Sequence, residues 1–311
     1  MCCSIANEHS TRAEERKPTP EQRAVEFLAR EAAAWPAENK CFSCHNNGDA
    51  ARALYAAVKL GNESPRAQLR ETTAWLAKPA AWRKTKIPAE FRDDRLSAVQ
   101  FAAALVSAIE ADCIKDRRSL MAAAEWVAEE QDADGSWHID ASGQAGSPVT
   151  YGPALATWSA RRTLLAAGES RFHPAIAKAD GWVRGHEAHA TPDAAAALLA
   201  LAGANDKAAI KRRQQCFETL RRARTDEGGW GPYQQSPAEI FDTALALLAL
   251  AAQTRTAEID AMLAGGRKFL LAEQLDDGSW TETTRPSGSR SYAQRLSTTG
   301  WATLALLKLE P

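Results

Sequence analysis

Apolar side chains recur at three- and four-residue spacing in about twelve stretches of the chain, each closed by a short Gly-, Pro- or Asp-rich break, the signature of successive amphipathic helices. The stretches pair: 21–34 with 48–60, 66–78 with 95–111, 117–131 with 151–167, 174–187 with 193–203, 208–224 with 240–252, and 258–274 with 297–308. The second member of each pair is apolar nearly all round, as in DTALALLALAA (242–252) and TPDAAAALLALAG (191–203). The first carries many charges on one face, as in KDRRSLMAAAEWVAEEQ (115–131). A helix without a polar face must be covered on every side, whereas an amphipathic one suits an outer layer. Six inner helices ringed by six outer ones meet both demands, so the pattern predicts an all-α (α/α)6 toroid over 21–311. An open solenoid is the structural competitor, and the absence of an obviously polar terminal repeat favours closure.

Composition agrees. Ala and Leu dominate while Val and Ile are few, a balance that favours helix over strand. Lys plus Arg number 38 against 39 Asp plus Glu, so there is no basic excess to neutralise phosphates and nucleic acid is not an expected partner. No apolar run is long enough for a membrane span. Residues 1–20 are polar, lack the apolar centre of an export signal and read as a disordered tail.

Two turns are nearly superimposable: Trp126-Val127-x3-Gln131-x3-Gly135-Ser136-Trp137 and Phe269-Leu270-x3-Gln274-x3-Gly278-Ser279-Trp280. A third, ending in Gly228-Gly229-Trp230, has Arg224 in place of the glutamine. The glycine permits a sharp exit from the outer helix, the indole lies flat on the helix end, and the Gln amide serves backbone groups at a neighbouring terminus. The acidic pairs before each glycine, Asp132/Asp134, Asp226/Glu227 and Asp276/Asp277, read as turn residues facing water.

Gln-x3-Gly-x-Trp after an aromatic–aliphatic pair resembles the QW repeat of squalene–hopene and oxidosqualene cyclases, which share the α/α-toroid superfamily with protein prenyltransferase β subunits. The resemblance covers 115–311 through these motifs and 21–114 through helix-pair rhythm. It implies the toroid fold and an apolar, isoprenoid-like ligand. Class II cyclases protonate an alkene from the central Asp of an Asp-x-Asp-Asp-Thr-Ala segment. The counterpart here is Glu239-Ile240-Phe241-Asp242-Thr243-Ala244, with Phe241 where the proton donor belongs. Asp242 is the remaining catalytic candidate, and an N-terminal helix cap is its competing role. The prenyltransferase zinc set is not matched: Gln214 stands two residues before Cys216 where an Asp is needed. His186 and His189, with Asp193 nearby, form the other candidate metal pair, against a plain polar loop. Tyr151, Trp158 and Trp301 read either as a pocket lining or as core.

Cys41-Phe42-Ser43-Cys44-His45 is the sharpest local motif and is expected in a loop of the first hairpin. Two thiols at this spacing can bond the vinyl groups of haem, and the adjacent His can ligate its iron. A zinc or iron–sulfur clip, a redox dithiol and a pair of reduced structural cysteines remain open beside covalent haem c. Haem attachment implies a periplasmic protein, and its absence a cytoplasmic one. Cys113 and Cys216 fall in helical patterns and read as buried inert thiols. Three functions follow: a toroid binding an apolar or isoprenoid ligand without class II cyclase acid, a haem electron-transfer or redox protein on the same scaffold, and a module holding a protein partner.

Overall fold

A computed structural model describes residues 17–82, 93–139 and 143–310. Most of the expected tail, residues 1–16, lies outside that set. The described part is helical: α1 (Pro20–Asn39), α2 (Ala51–Lys59), α3 (Arg70–Leu76), α4 (Pro79–Trp82), α5 (Asp94–Glu110), α6 (Arg118–Glu129), α7 (Gly152–Ala167), α8 (His173–Gly185), α9 (Thr191–Ala200), α10 (Lys207–Ala223), α11 (Ile240–Ala251), α12 (Ala257–Ala272) and α13 (Tyr292–Lys308). No strand is present among the described residues, only isolated bridges on either side of Trp230.

The inner ring is α2, α5, α7, α9, α11 and α13, each packed on the next, with α13 returning to α2 and the turn before it. The outer elements pack behind them, α1 bridging α13 and α2 across the seam. Burial follows the sequence pattern. In α11 almost every residue from Ile240 to Leu250 is buried, while α10 buries only Ala209, Cys216, Leu220 and Ala223.

Two expectations are corrected. The stretch 66–78 is not one helix: it begins in a 3-10 turn (Ser64–Arg66) and is α-helical only over α3, and α4 follows beyond it from Pro79, which lacks an N–H and suits a helix's first turn. The 41–45 segment is not wholly loop: Cys44 opens a π-helical turn, Cys44–Ala50, that runs straight into α2. Polar side chains stabilise that start. Ser43 Oγ accepts from His45 N at 3.2 Å, and Asn47 Oδ1 accepts from Ser43 N at 2.9 Å. Asn47 Nδ2 donates in turn to Ala32 O and Thr72 Oγ1, tying the turn to α1 and α3.

The seam is closed by the last of the tryptophan turns. Gln274 Nε2 donates to Gly278 O at 3.0 Å and to Pro20 O at 2.8 Å in the first turn of α1. Arg267 pairs with Glu21 at 2.6 Å. Gly278, at φ +90°, lies so close to α1 that a Cβ would stand 2.3 Å from Arg23 O.

Candidate functional site

The three tryptophan turns share one geometry. Each indole is fully buried, and its Nε1 donates at 2.8 Å to a carbonyl of the preceding outer helix: Trp137 to Val127 O, Trp230 to Leu220 O, Trp280 to Leu270 O. Each backbone N–H donates to a threonine of the following inner helix: Thr157, Thr243 and Thr299. Gln131 Nε2 repeats what Gln274 does, donating to Gly135 O and to Ala175 O of α8 at 2.9 Å. Gly135, Gly228 and Gly278 each abut the backbone of the next outer helix. At the third turn Arg224 takes the glutamine's place and lies over the Trp230 ring. All these groups are spent on the scaffold. The turn acids are paired as well as solvated: Asp132 with Arg95 at 2.8 Å and Asp277 with Arg295 at 2.6 Å.

Chemistry gathers instead in the inner ring, around a residue the sequence pattern did not single out. Asp49, in the turn before α2, is buried; its Oδ1 accepts from the Tyr151 hydroxyl and its Oδ2 from Gln100 Nε2 at 2.8 Å. Burial pushes its carboxyl up to about 6 although Tyr151, Arg52, Ser297 and Gln100 all favour the charged form. Ser297 Oγ stands 3.0 Å from His45 Nδ1, so a chain of polar contacts runs His45–Ser297–Asp49–Tyr151. Burial holds the His45 imidazole down to about 4 and therefore neutral at pH 7, and lifts the Tyr151 phenol well above its ordinary value. Tyr151 is the N-cap residue of α7 at φ +59°, a conformation that costs a bulky side chain energy and that the packing around it enforces. Gly146 makes it possible: a Cβ there would sit 2.1 Å from Tyr151 O.

Next to Asp49 the Arg52 guanidinium lies 4.2 Å from the Trp301 ring centroid and 5.5 Å from that of Trp158. Tyr151, Trp158 and Phe241 surround Trp301 at 5.7, 6.4 and 5.9 Å, two of them edge-on. Tyr151, Phe241 and Trp301 are buried, while Trp158 keeps part of its ring exposed. The residues that read as either lining or core are thus one aromatic wall holding a cation against its faces.

Asp242, fully buried in the first turn of α11, gives both carboxylate oxygens to Arg285 Nη2 at 3.0 Å, while Arg285 Nη1 reaches Glu239 at 2.6 Å. Arg285 also donates to Gly146 O, so the loop before α13 is strapped to α11 and to the loop before α7. Burial outweighs this cation and raises the Asp242 carboxyl to about 7. In the Cys-x2-Cys-His segment both thiols are free and partly buried. Cys44 packs on the core, and burial with the nearby Asp49 charge pushes its thiol up to about 12. Cys113 is partly buried and Cys216 buried, the latter's thiol pushed by burial up to about 11. His186 stacks on Trp182 at 4.1 Å and His189 faces Glu187 at 3.5 Å. Among the described residues no group of three or more His, Cys, Asp or Glu is placed to hold a metal ion. Nor is any described helix long and apolar enough to cross a membrane.

Solved structures place the ring in context. The chain is similar to the type II terpene cyclase MstE from Scytonema, at 14% identity and a TM-score of 0.60, over 93% of this chain and 98% of that one. MstE carrying its product, merosterolic acid A, matches at 17% identity and a TM-score of 0.59, over 93% and 95%. A glycosidase in complex with glucose matches at 13% identity and a TM-score of 0.54, over 93% and 97%. The chain therefore has the terpene-cyclase toroid fold, a scaffold on which unrelated chemistries are built. No protein-family model and no curated protein matches it by sequence.

Proposed function

We propose that the protein binds an apolar or isoprenoid ligand in the inner ring, against Tyr151, Trp158, Phe241 and Trp301, and that it does not carry out class II cyclisation. The observation that supports this reading is the aromatic wall itself: four rings from three inner helices converge where Arg52 lies, and of the four only Trp158 is not fully buried. Apolar sites are built this way, from aromatic surface with a few placed polar groups. The cyclisation part of the reading is supported by the sequence. In the segment that resembles the cyclase acid motif Phe241 stands at the proton donor's position, and the remaining Asp242 is clamped by Arg285. Titration with geranylgeraniol tests the reading: tryptophan fluorescence should change saturably, and Trp158→Ala should weaken the response. An unsaturable or absent change refutes it.

A second reading, covalent haem c on Cys41, Cys44 and His45, rests on one contact. Ser297 fixes His45 Nδ1 and leaves Nε2 of a neutral imidazole, the form an axial ligand needs. Haem bound there supplies one-electron transfer. Cys44, packed on the core, has to turn outward to reach a vinyl group. Expression alongside haem-maturation machinery should then give a Soret band that Cys41→Ala or Cys44→Ala abolishes. A colourless product removes this reading.

A further inference from the structure

A pocket lies away from the ring centre, where the end of α1 meets the start of α13. It encloses about 490 Å³ and is lined by Arg30, Glu31, Trp35, Glu38, Asn39 and Tyr292. The Trp35 and Tyr292 rings stack at 5.5 Å and 12°, and Tyr292 is 42% exposed. The lining holds two carboxylates against one guanidinium, and that guanidinium is engaged: Arg30 pairs with Glu31 at 3.3 Å and lies 5.3 Å from the Phe27 centroid. Glu38 is exposed in the last turn of α1, at the negative end of the helix dipole, and no basic residue stands in that turn. Lys40, the C-cap, spends its ammonium on Ala37 O at 2.6 Å. Tyr292 registers the sign of the field: burial pushes its phenol up to about 12, and the Glu31 and Glu38 charges add to the rise. Behind the rings Asn46, 1% exposed, donates to Tyr292 Oη at 2.9 Å and to Glu31 O at 3.2 Å, while its Oδ1 has no donor. Acidic oxygens around partly open aromatic surface favour a cation and repel an anion. A hard metal ion needs a cage of oxygens, and no group of three or more His, Cys, Asp or Glu is placed to form one among the described residues.

We propose that this pocket binds a small quaternary ammonium ion, whose alkyl groups lie on Trp35 and Tyr292 and whose charge is held by Glu31 and Glu38. Alkylation decides the class. A primary ammonium gives up strong hydration on meeting an aromatic wall, whereas a quaternary one is weakly hydrated and offers the rings apolar surface. The pocket shares no residue with the aromatic wall of the inner ring, so the two readings stand or fall separately.

Calorimetric titration of the full chain with choline and with 3,3-dimethylbutan-1-ol tests this, since the two differ only in a quaternary nitrogen against a quaternary carbon. Choline should bind saturably and at least about tenfold more tightly than the alcohol. Added salt should weaken choline and spare the alcohol. Glu38→Gln, a change at an exposed position that leaves the core intact, should weaken choline about threefold and leave the alcohol unaffected. Tyr292→Leu should weaken both ligands. Equal affinity for the two, no saturable choline binding, or choline binding that neither substitution alters overturns the proposal and leaves the apolar-ligand reading of the inner ring untouched.

Discussion

Asp49→Asn isolates the electrostatics of the ring centre. The wild-type carboxyl is buried and raised to about 6 from an ordinary 3.8. A carboxyl whose folded pKa exceeds its unfolded one binds its proton more tightly in the folded state. Folding is therefore least penalised below about pH 4, and stability is lost as pH rises from there through 6. Two pKa units correspond to about 3 kcal/mol, most of it developing between pH 4 and pH 8. Asparagine has no charge to desolvate and removes this dependence. It also costs something that does not vary with pH, because its amide cannot accept from both Tyr151 and Gln100. The informative quantity is therefore a difference of differences. Urea unfolding of both proteins at pH 4.5 and pH 8 should show the variant gaining about 2 kcal/mol on the wild type between the two. His45, held at about 4, pulls the other way below pH 6.5 in both proteins and cancels in the comparison. An identical gap at the two pH values refutes the desolvated Asp49 described here.

Arg285→Ala strands a buried carboxylate at Asp242, so it should cost about 3–5 kcal/mol at pH 8 and much less at pH 5, where that carboxyl is protonated in the fold; a pH-independent loss contradicts the clamp. Gly278→Ala forces a Cβ to 2.3 Å from Arg23 O, whereas Gly168, at φ +74°, faces open space. Thermal melts should show Gly168→Ala losing about 1–2 kcal/mol from backbone strain alone and Gly278→Ala losing clearly more; equal losses mean α1 does not press on that turn. Trp280→Phe leaves Leu270 O without its donor and should cost about 1–3 kcal/mol by urea unfolding, with a similar figure for Trp137→Phe if the turns are equivalent.

Helix pairing and the tryptophan turns were legible because both are local. Period and apolarity separate α11 from α10, and Gln-x3-Gly-x-Trp makes part of its hydrogen bonding within its own segment, adding a carbonyl of the adjacent outer helix and a threonine of the next inner one. The end of the 66–78 stretch just before Pro79 was readable, but the irregular start ahead of Arg70 was lost inside an otherwise helical pattern. The ring centre was not legible, since its members are far apart in the chain. Asp49 stands 51 residues from Gln100 and 102 from Tyr151. In sequence it is one acid among the polar residues after His45, indistinguishable from a solvated turn. Arg285 likewise gives no local sign of its hold on Asp242, 43 residues earlier. Its partner there was read from the sequence as a cap or an acid, and the clamp belongs to neither description. A buried polar residue opening an Ala-rich helix was the available signal, because alanine on every side leaves such a group no exposed face.

Because the last turn grips the first helix, the ring has a seam rather than two ends. Glu310 lies close enough to Glu21 and Arg267 to feel their charges. A short linker there, with new termini cut at Gly61 or Gly203 in loops between hairpins, should yield circularly permuted proteins that still close. Such permutants would convert the seam from a non-covalent latch into an ordinary connection and move the vulnerable joint elsewhere on the circle.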